Sequence, residues 1–285
     1  MQNESILPSA VSDEEMGFDY KTQGQLALDD IAEGATLWRT WLLLAYQDIR
    51  LRYRRSTLGP FWITLSMAIT VYSMGFLYSQ LFHTDLQHYL PFLVSGMISW
   101  SLISMIITDT TETFATARGM LRQIKLPYTL YVHRVAARNI IIFLHNILVI
   151  IPILFLFHQF AQINLYTLLL FPGLFFIYLN AISFGLILGL LGSRFRDVPP
   201  IIKSLIGVLF FVTPVMWDPK ILSAKVQHFV LFNPLYAFIQ IIRAPMIGQK
   251  ASLSCYVLVL IITLLGLAVS FSIFKKYRAR IVYWV

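Results

Sequence analysis

Residues 252–274 read SLSCYVLVLIITLLGLAVSFSIF, and Lys275, Lys276, Arg278 and Arg280 follow at once. No Asp, Glu, Lys or Arg interrupts the stretch. At a rise of ~1.5 Å per residue, such a run crosses the ~30 Å hydrocarbon slab of a bilayer as one helix. A water-soluble fold writes shorter stripes, with polar residues on the far face. Cys255, the single cysteine, starts this run, so an internal disulfide framework and a multi-cysteine metal site are both excluded.

Five further apolar runs precede it, at about 60–82, 90–112, 132–157, 165–191 and 200–217, the last being the shortest. Composition agrees: 58% of the chain is hydrophobic and 13% charged, where a soluble domain has about a quarter charged. The expected fold is all-α and integral to the membrane. It has six transmembrane helices, an N-terminal amphipathic interface helix and a re-entrant helical pair before the last span.

Basic residues order these spans. Arg118, Arg122, Lys125, Arg134 and Arg138 flank the second connection, and Arg194, Arg196 and Lys203 the fourth. Together with the C-terminal cluster they fall on one side under a six-span count. The positive-inside rule makes that side cytoplasmic, with both termini on it. Only Lys220, Lys225, Arg243 and Lys250 fall opposite. The net charge of +8 therefore belongs to headgroups and insertion, and a nucleic-acid partner is excluded.

Residues 1–35 carry eight acidic residues against the single Lys21. A flexible acidic cytoplasmic tail is expected there, with the membrane domain occupying 36–285. Over 36–57, Trp38, Trp41, Ala45, Ile49 and Tyr53 recur at helical spacing, and Arg50, Arg52, Arg54 and Arg55 fall mostly elsewhere on the wheel. That pattern predicts a helix lying in the membrane interface. Leu58-Gly59-Pro60 ends it.

Residues 218–250 are too apolar for a solvated loop and too broken for a span. Asn233 and Pro234 read as a cap and a first helical residue. Two short helices dipping back into the outer leaflet are expected, forming the outer mouth of a pathway. Irregular backbone at that depth needs protein or a watery cavity to satisfy it.

Chemistry is sparse. No GxxxxGK[ST] loop, HExxH pair or GxSxG elbow occurs, so no metal or cofactor is expected in this chain. Asp109 and Glu112 share a helix face beside Arg118 and Arg122, which predicts a solvated ion-pair cluster. His145 and Asn146 in mid-span are expected to bond between helices. Aromatic side chains along the spans suit an aromatic-lined pathway for sugars, their faces meeting the C–H faces of pyranoses. Tyr72 and Phe76, one turn apart, come first, then Trp62, Trp100, Phe211 and Trp217.

Four segments resemble one family. They are Arg50-Leu51-Arg52-Tyr53-Arg54-Arg55-Ser56-Thr57-Leu58-Gly59-Pro60-Phe61-Trp62, Arg194-Phe195-Arg196-Asp197-Val198, Thr213-Pro214-Val215-Met216-Trp217, and Asn233-Pro234-Leu235-Tyr236 with Arg243. In this order they resemble the membrane subunits of ABC-type exporters of O-antigen, capsule or teichoic-type polymers. The resemblance implies a homodimer with two soluble ATPase subunits, which carry the ATP and Mg. It implies a lipid-linked polysaccharide as substrate and the cell inner membrane as location. It further implies that Arg118, Arg122 and Lys125 lie on an ATPase-coupling helix, and that Asn233, Pro234, Tyr236 and Arg243 belong to an outer gate. Arg50, Arg52, Arg54 and Arg55 then meet either the lipid pyrophosphate or ordinary headgroups. An integral membrane enzyme acting on lipid-linked sugars and an ion-coupled transporter are the alternatives. The first lacks a carboxylate cluster at the membrane surface, and the second lacks a mid-membrane acid.

Overall fold

The computed structural model describes residues 21–81, 83–223, 227, 229, 230 and 232–285. Among them every regular element is helical. The long helices are α3 (Phe61–Leu81), α4 (Leu86–Thr111), α7 (Tyr128–Asn146), α9 (Leu170–Arg194) and α12 (Leu253–Tyr277). A 3-10 turn, Ile147–Ile150, leads α7 into α8 (Ile151–Leu156), and another, Leu165–Leu169, precedes α9. Counted with these extensions, five helices are long and apolar enough to cross a membrane. Their bounds fall within about four residues of five of the expected spans, except that α12 runs on toward the C-terminus.

The expected fifth span differs. It is helical over Val198–Val212 (α10), only 15 residues, or ~22 Å at 1.5 Å each. Thr213 and Pro214 stop it: the residue before a proline is pushed out of the helical region. In the segment expected to hold a re-entrant pair, a helix starts where Asn233 and Pro234 predict it: α11 (Pro234–Met246), with Asn233 accepting from the Leu235 and Tyr236 amides and Pro234 at the first position. Between α10 and α11 the described residues also hold a 3-10 turn, Pro219–Ile221.

Helix α4 is the centre of the bundle. It touches α3, α7, α9, α10 and α11. Its contact with α9 is close because α9 offers glycines: a Cβ on Gly192 would run into the Thr111 carbonyl. In lipid no hydrophobic effect drives helices together, so such close backbone approach carries the association. By contrast α3 buries only Ile63, Val71, Gly75 and Ser79, and α10 buries nothing.

The connection after α4 forms two short helices, α5 (Thr113–Thr116) and α6 (Arg118–Gln123). The arginine-rich segment forms α2 (Trp38–Arg52), shorter than the expected 36–57. Its Ala45 and Ile49 are buried, with Trp41 partly so, and it packs on α7. Trp38 is exposed under Arg39 instead. The two tryptophans thus take different environments.

The expected flexible tail is corrected over its second half, residues 1–20 lying outside the described residues. Gln23–Thr36 is a helix, α1, opened by a capping box between Thr22 and Gln25. It docks through Asp30, whose side chain has no exposure. That carboxylate accepts from the Tyr128 and Thr129 amides at 3.1 and 3.0 Å and from Arg278 Nε at 2.8 Å. Acidity alone suggested solvation. Asp30 instead caps the start of α7 from another element and ties it to the C-terminal end of α12. Asp30→Ala leaves those donors unmet and should cost ~2–4 kcal/mol. The expected outcome is a clearly lower melting midpoint in detergent; a wild-type midpoint would show that α1 is not docked.

Candidate functional site

The two ends of the bundle hold its polar machinery. At the arginine-rich end, Asp48 on α2 lies between two cations of α7. It pairs with Arg134, through Nε at 2.9 Å and through Nη2, and with Arg138 Nη1 at 3.2 Å. Arg138 Nη2 also reaches Asp109 on α4 at 2.9 Å, and Asn139 Nδ2 reaches the same oxygen at 3.0 Å. One guanidinium is thus shared by two carboxylates from two helices. Asp109 therefore does not pair with Arg118 or Arg122, as expected from sequence. Arg122 instead donates to the Val285 carbonyl at 3.4 Å. Arg118, Arg122 and Lys125 are all exposed, on or just beyond α6.

Deeper beside this network, Trp41 stacks on His133 at 5.6 Å, and His133 Nδ1 lies 2.6 Å from the Tyr178 hydroxyl. The stack joins α2, α7 and α9.

Arg50, Arg52, Arg54 and Arg55 are all exposed. Among the described residues none has an ion-pair partner. Arg55 adopts φ 81°, in the left-handed region, which turns the chain sharply before Pro60. Arg52 lies on the rim of a cavity of about 370 Å³ whose wall includes Ser66, Thr70, Trp100, Ser101 and Ser104. Of the four arginines, Arg52 thus borders a recess between α3, α4 and α7, in which these hydroxyls stand among apolar side chains such as Ile63, Met67, Met105 and Ile142.

The opposite end is built around Arg243 on α11, only 2% exposed. Its Nη2 donates to the Pro214 and Val215 carbonyls at 2.9 and 2.6 Å. Its guanidinium carbon lies 4.2 Å from the centre of the Phe92 ring. Tyr89 donates its hydroxyl to the Met216 carbonyl at 2.8 Å, and Asn233 Nδ2 donates to Thr213 Oγ1 at 3.1 Å. Trp217 Nε1 closes on the Phe211 carbonyl at 3.2 Å. Side chains of α4, α11 and the turn itself thus satisfy the backbone that α10 frees where it stops. Gly96 is part of this clamp, since a Cβ there would meet the Arg243 guanidinium. Tyr236, from the same expected set, is buried and accepts from Gln240 Nε2 at 2.8 Å.

The six aromatics expected to line a pathway take different environments. Tyr72 is half-buried and donates to the Val149 carbonyl at 2.6 Å, while Phe76 is exposed. Trp100 is buried, 5.5 Å from Phe210, so it packs α10 onto α4. Trp62 and Phe211 are exposed and Trp217 is half-buried. His145 bonds within its own helix, to the Ile141 carbonyl at 2.8 Å; the expected interhelical bond uses its backbone carbonyl instead, accepting from Thr64. Asn146 is buried. Sequence reasoning missed Asp48, Tyr89 and Phe92. Asp48 had a usable signal, since Trp41, Ala45 and Asp48 share the spacing of the buried face.

These two ends generate separate tests. Removing either member of the shared network, by Asp48→Asn or Arg138→Gln, should cost about 2 kcal/mol, between the ranges for exposed and buried pairs. The double variant should cost less than the two losses added. Full additivity in detergent melting would show that the groups do not interact. Arg243→Met should lower stability by ~2–6 kcal/mol, because two buried carbonyls lose their donor. A midpoint within one degree of wild type would mean the 213–217 turn is held by other means.

The ABC-2 type transporter family model matches residues 39–247. Two similar relatives are O-antigen export system permease proteins RfbA. That of Klebsiella pneumoniae is 21% identical over 247 residues, covering 84% of this chain and 92% of that protein. That of Myxococcus xanthus is 23% identical over 176 residues, 61% of this chain and 66% of that protein. The matched region runs from α2 through α11 and so takes in both the shared ion network and the Arg243 clamp. With five apolar helices long enough to cross a membrane, the chain is a multi-pass membrane protein and belongs to the ABC-2 type transporter family.

Proposed function

We propose that the chain is the membrane subunit of an ATP-driven exporter that moves a lipid-linked polysaccharide across the cell inner membrane. Two copies would enclose the channel, and two soluble ATPase subunits would bind the ATP and Mg. The observation that carries this reading is the exposed arginine cluster, whose Arg52 borders the recess between α3, α4 and α7. Four guanidinium groups with no acidic partner among the described residues present a strong field for an anionic head, and Arg forks match phosphate oxygens. Serine and threonine hydroxyls behind them suit the first sugar. The O-antigen export permeases among its relatives support the same class of cargo.

Six crossings follow if α10 and the turn after it are completed across the slab by α11 dipping back from the far side. The basic ends of α2, α6, α9 and α12 then all face the cytoplasm. On that side α2 and α6 offer the ATPase two contacts, with Arg118, Arg122 and Lys125 exposed on or beside α6. The apolar faces of α3 and α10, left bare by their own chain, suit a second copy. The enzyme reading is weaker because Asp30, Asp48 and Asp109 are all engaged by cations or amides.

In cells, Arg54→Gln with Arg55→Gln should reduce surface polysaccharide several-fold while membrane insertion is kept. Normal surface polymer in that variant would remove the arginines from cargo recognition. A tagged chain should bring down a soluble ATPase; a lone chain fully active without one would overturn the exporter reading.

A further inference from the structure

Above the Arg243 clamp lies a cavity of about 340 Å³ that the preceding reading does not use. Four separate segments build it: the start of α4 (His88, Phe92), the loop after α8 (Gln159, Phe160), the 218–220 turn, and α11 with its exit (Tyr236, Gln240, Gln249). The wall mixes polar groups with apolar ones such as Pro91, Phe92, Phe160 and Ile247.

The donors and acceptors on this wall are incompletely used. Asp218 spends one carboxylate oxygen on the Lys220 amide at 2.9 Å. Gln240 gives its amide nitrogen to Tyr236, which leaves its carbonyl oxygen. Gln159 and Gln249 stand exposed at the rim. His88 and Phe160 meet edge to face at 5.5 Å and form one aromatic corner. Arg243 also lines the cavity: two carbonyls hold its Nη2 and the Phe92 ring covers its face, while its Nε and Nη1 are buried without a hydrogen-bond partner among the described residues. It fixes the floor and does not reach for a ligand.

We propose that this cavity is a saccharide subsite taking one pyranose unit of the exported polymer. Carboxamides both donate and accept, as sugar hydroxyls do. A carboxylate with an oxygen unbonded among the described residues accepts from a hydroxyl pair, and the His88–Phe160 corner presents apolar ring surface to C–H faces. A phosphate would want convergent accessible cations, but Lys220 sits beside Asp218, and the two unpartnered Arg243 nitrogens are buried below the cavity surface. An acyl chain would want an apolar groove. The volume lies in the range of small-molecule pockets and holds about one ring with water.

The assignment deepens the exporter reading and rests on it. The test uses the permease–ATPase complex in nanodiscs. The probe is the set of repeat-unit oligosaccharides released by mild acid from the host cell's own surface polymer, with binding read by saturation-transfer NMR. The wild-type complex should show transfer to the ring protons. Asp218→Asn and Gln240→Leu should each weaken binding about tenfold, the worth of one good hydrogen bond in a dry site. Gln159→Ala lies on an exposed rim where folding is not at stake, and should weaken it severalfold. Gln87→Ala, exposed on the first turn of α4 but outside the cavity, should leave binding unchanged. Wild-type affinity in all three cavity variants, or no transfer to the wild-type complex, would overturn the subsite. Deleting the gene separates the two readings: surface polymer that persists without the chain overturns the exporter, whatever the binding data show.

Discussion

A peptide carbonyl that leaves a helix where protein buries it has no water to turn to, and each one left unmet costs several kcal/mol. Helix α10 creates this problem by stopping after 15 residues, just before the buried Thr213, Pro214 and Val215. Its solution organises the opposite end of the protein. Arg243 reaches from α11 to two carbonyls, Tyr89 from α4 to a third, and Trp217 folds back to the Phe211 carbonyl. The cost of burying the cation is offset by these bonds and by the Phe92 ring. The position of α11, the glycine at 96 and the floor of the cavity above all follow from that arrangement.

The arginine-rich end obeys a different rule. There the side chains are only partly buried, with 14–24% of each still exposed in the Asp48, Arg134, Arg138 and Asp109 network. Water relieves part of the desolvation, so ion pairs can hold helices together without the penalty they would meet at mid-bilayer. A guanidinium has the geometry to serve two carboxylates at once. Arg138 uses it to join α2, α4 and α7. The amphipathic character of α2 therefore serves two masters: an apolar face and an acid dock it on α7, and the remaining arginines are left outside.

Long uncharged runs made the crossings legible from sequence, because a bilayer imposes length and apolarity with little room for exceptions. The Asn233-Pro234 start of α11 was legible for a local reason, since cap and first-turn proline act within a few residues. What escaped was long-range. Asp30 looked like part of a solvated acidic run, and only its fold places it against the first amides of α7 and Arg278, 248 positions away. Arg134 and Arg138 counted as topology signals, because composition does not tell a headgroup anchor from an ion-pair partner. The surroundings of single aromatics were not legible either. Tyr72 and Phe76 are one turn apart, yet one is bonded to a neighbouring helix and the other is bare, a difference set by which helices happen to flank α3.

Helix α4 carries members of both polar assemblies. Asp109 near its end is bound to Arg138, and Tyr89, Phe92 and Gly96 near its start belong to the clamp. Twenty-six residues separate its ends, ~39 Å at 1.5 Å each. Pro91 sits inside α4 between Tyr89 and Phe92, and a proline there removes one backbone donor from the helix ladder. The two ends of α4 are therefore held by different means. At the Arg138 junction charge ties it to α2 and α7; at the clamp its side chains and the close approach at Gly96 set it against the turn that ends α10. One helix thus takes part in both polar assemblies, and the placing of each depends on the other through it.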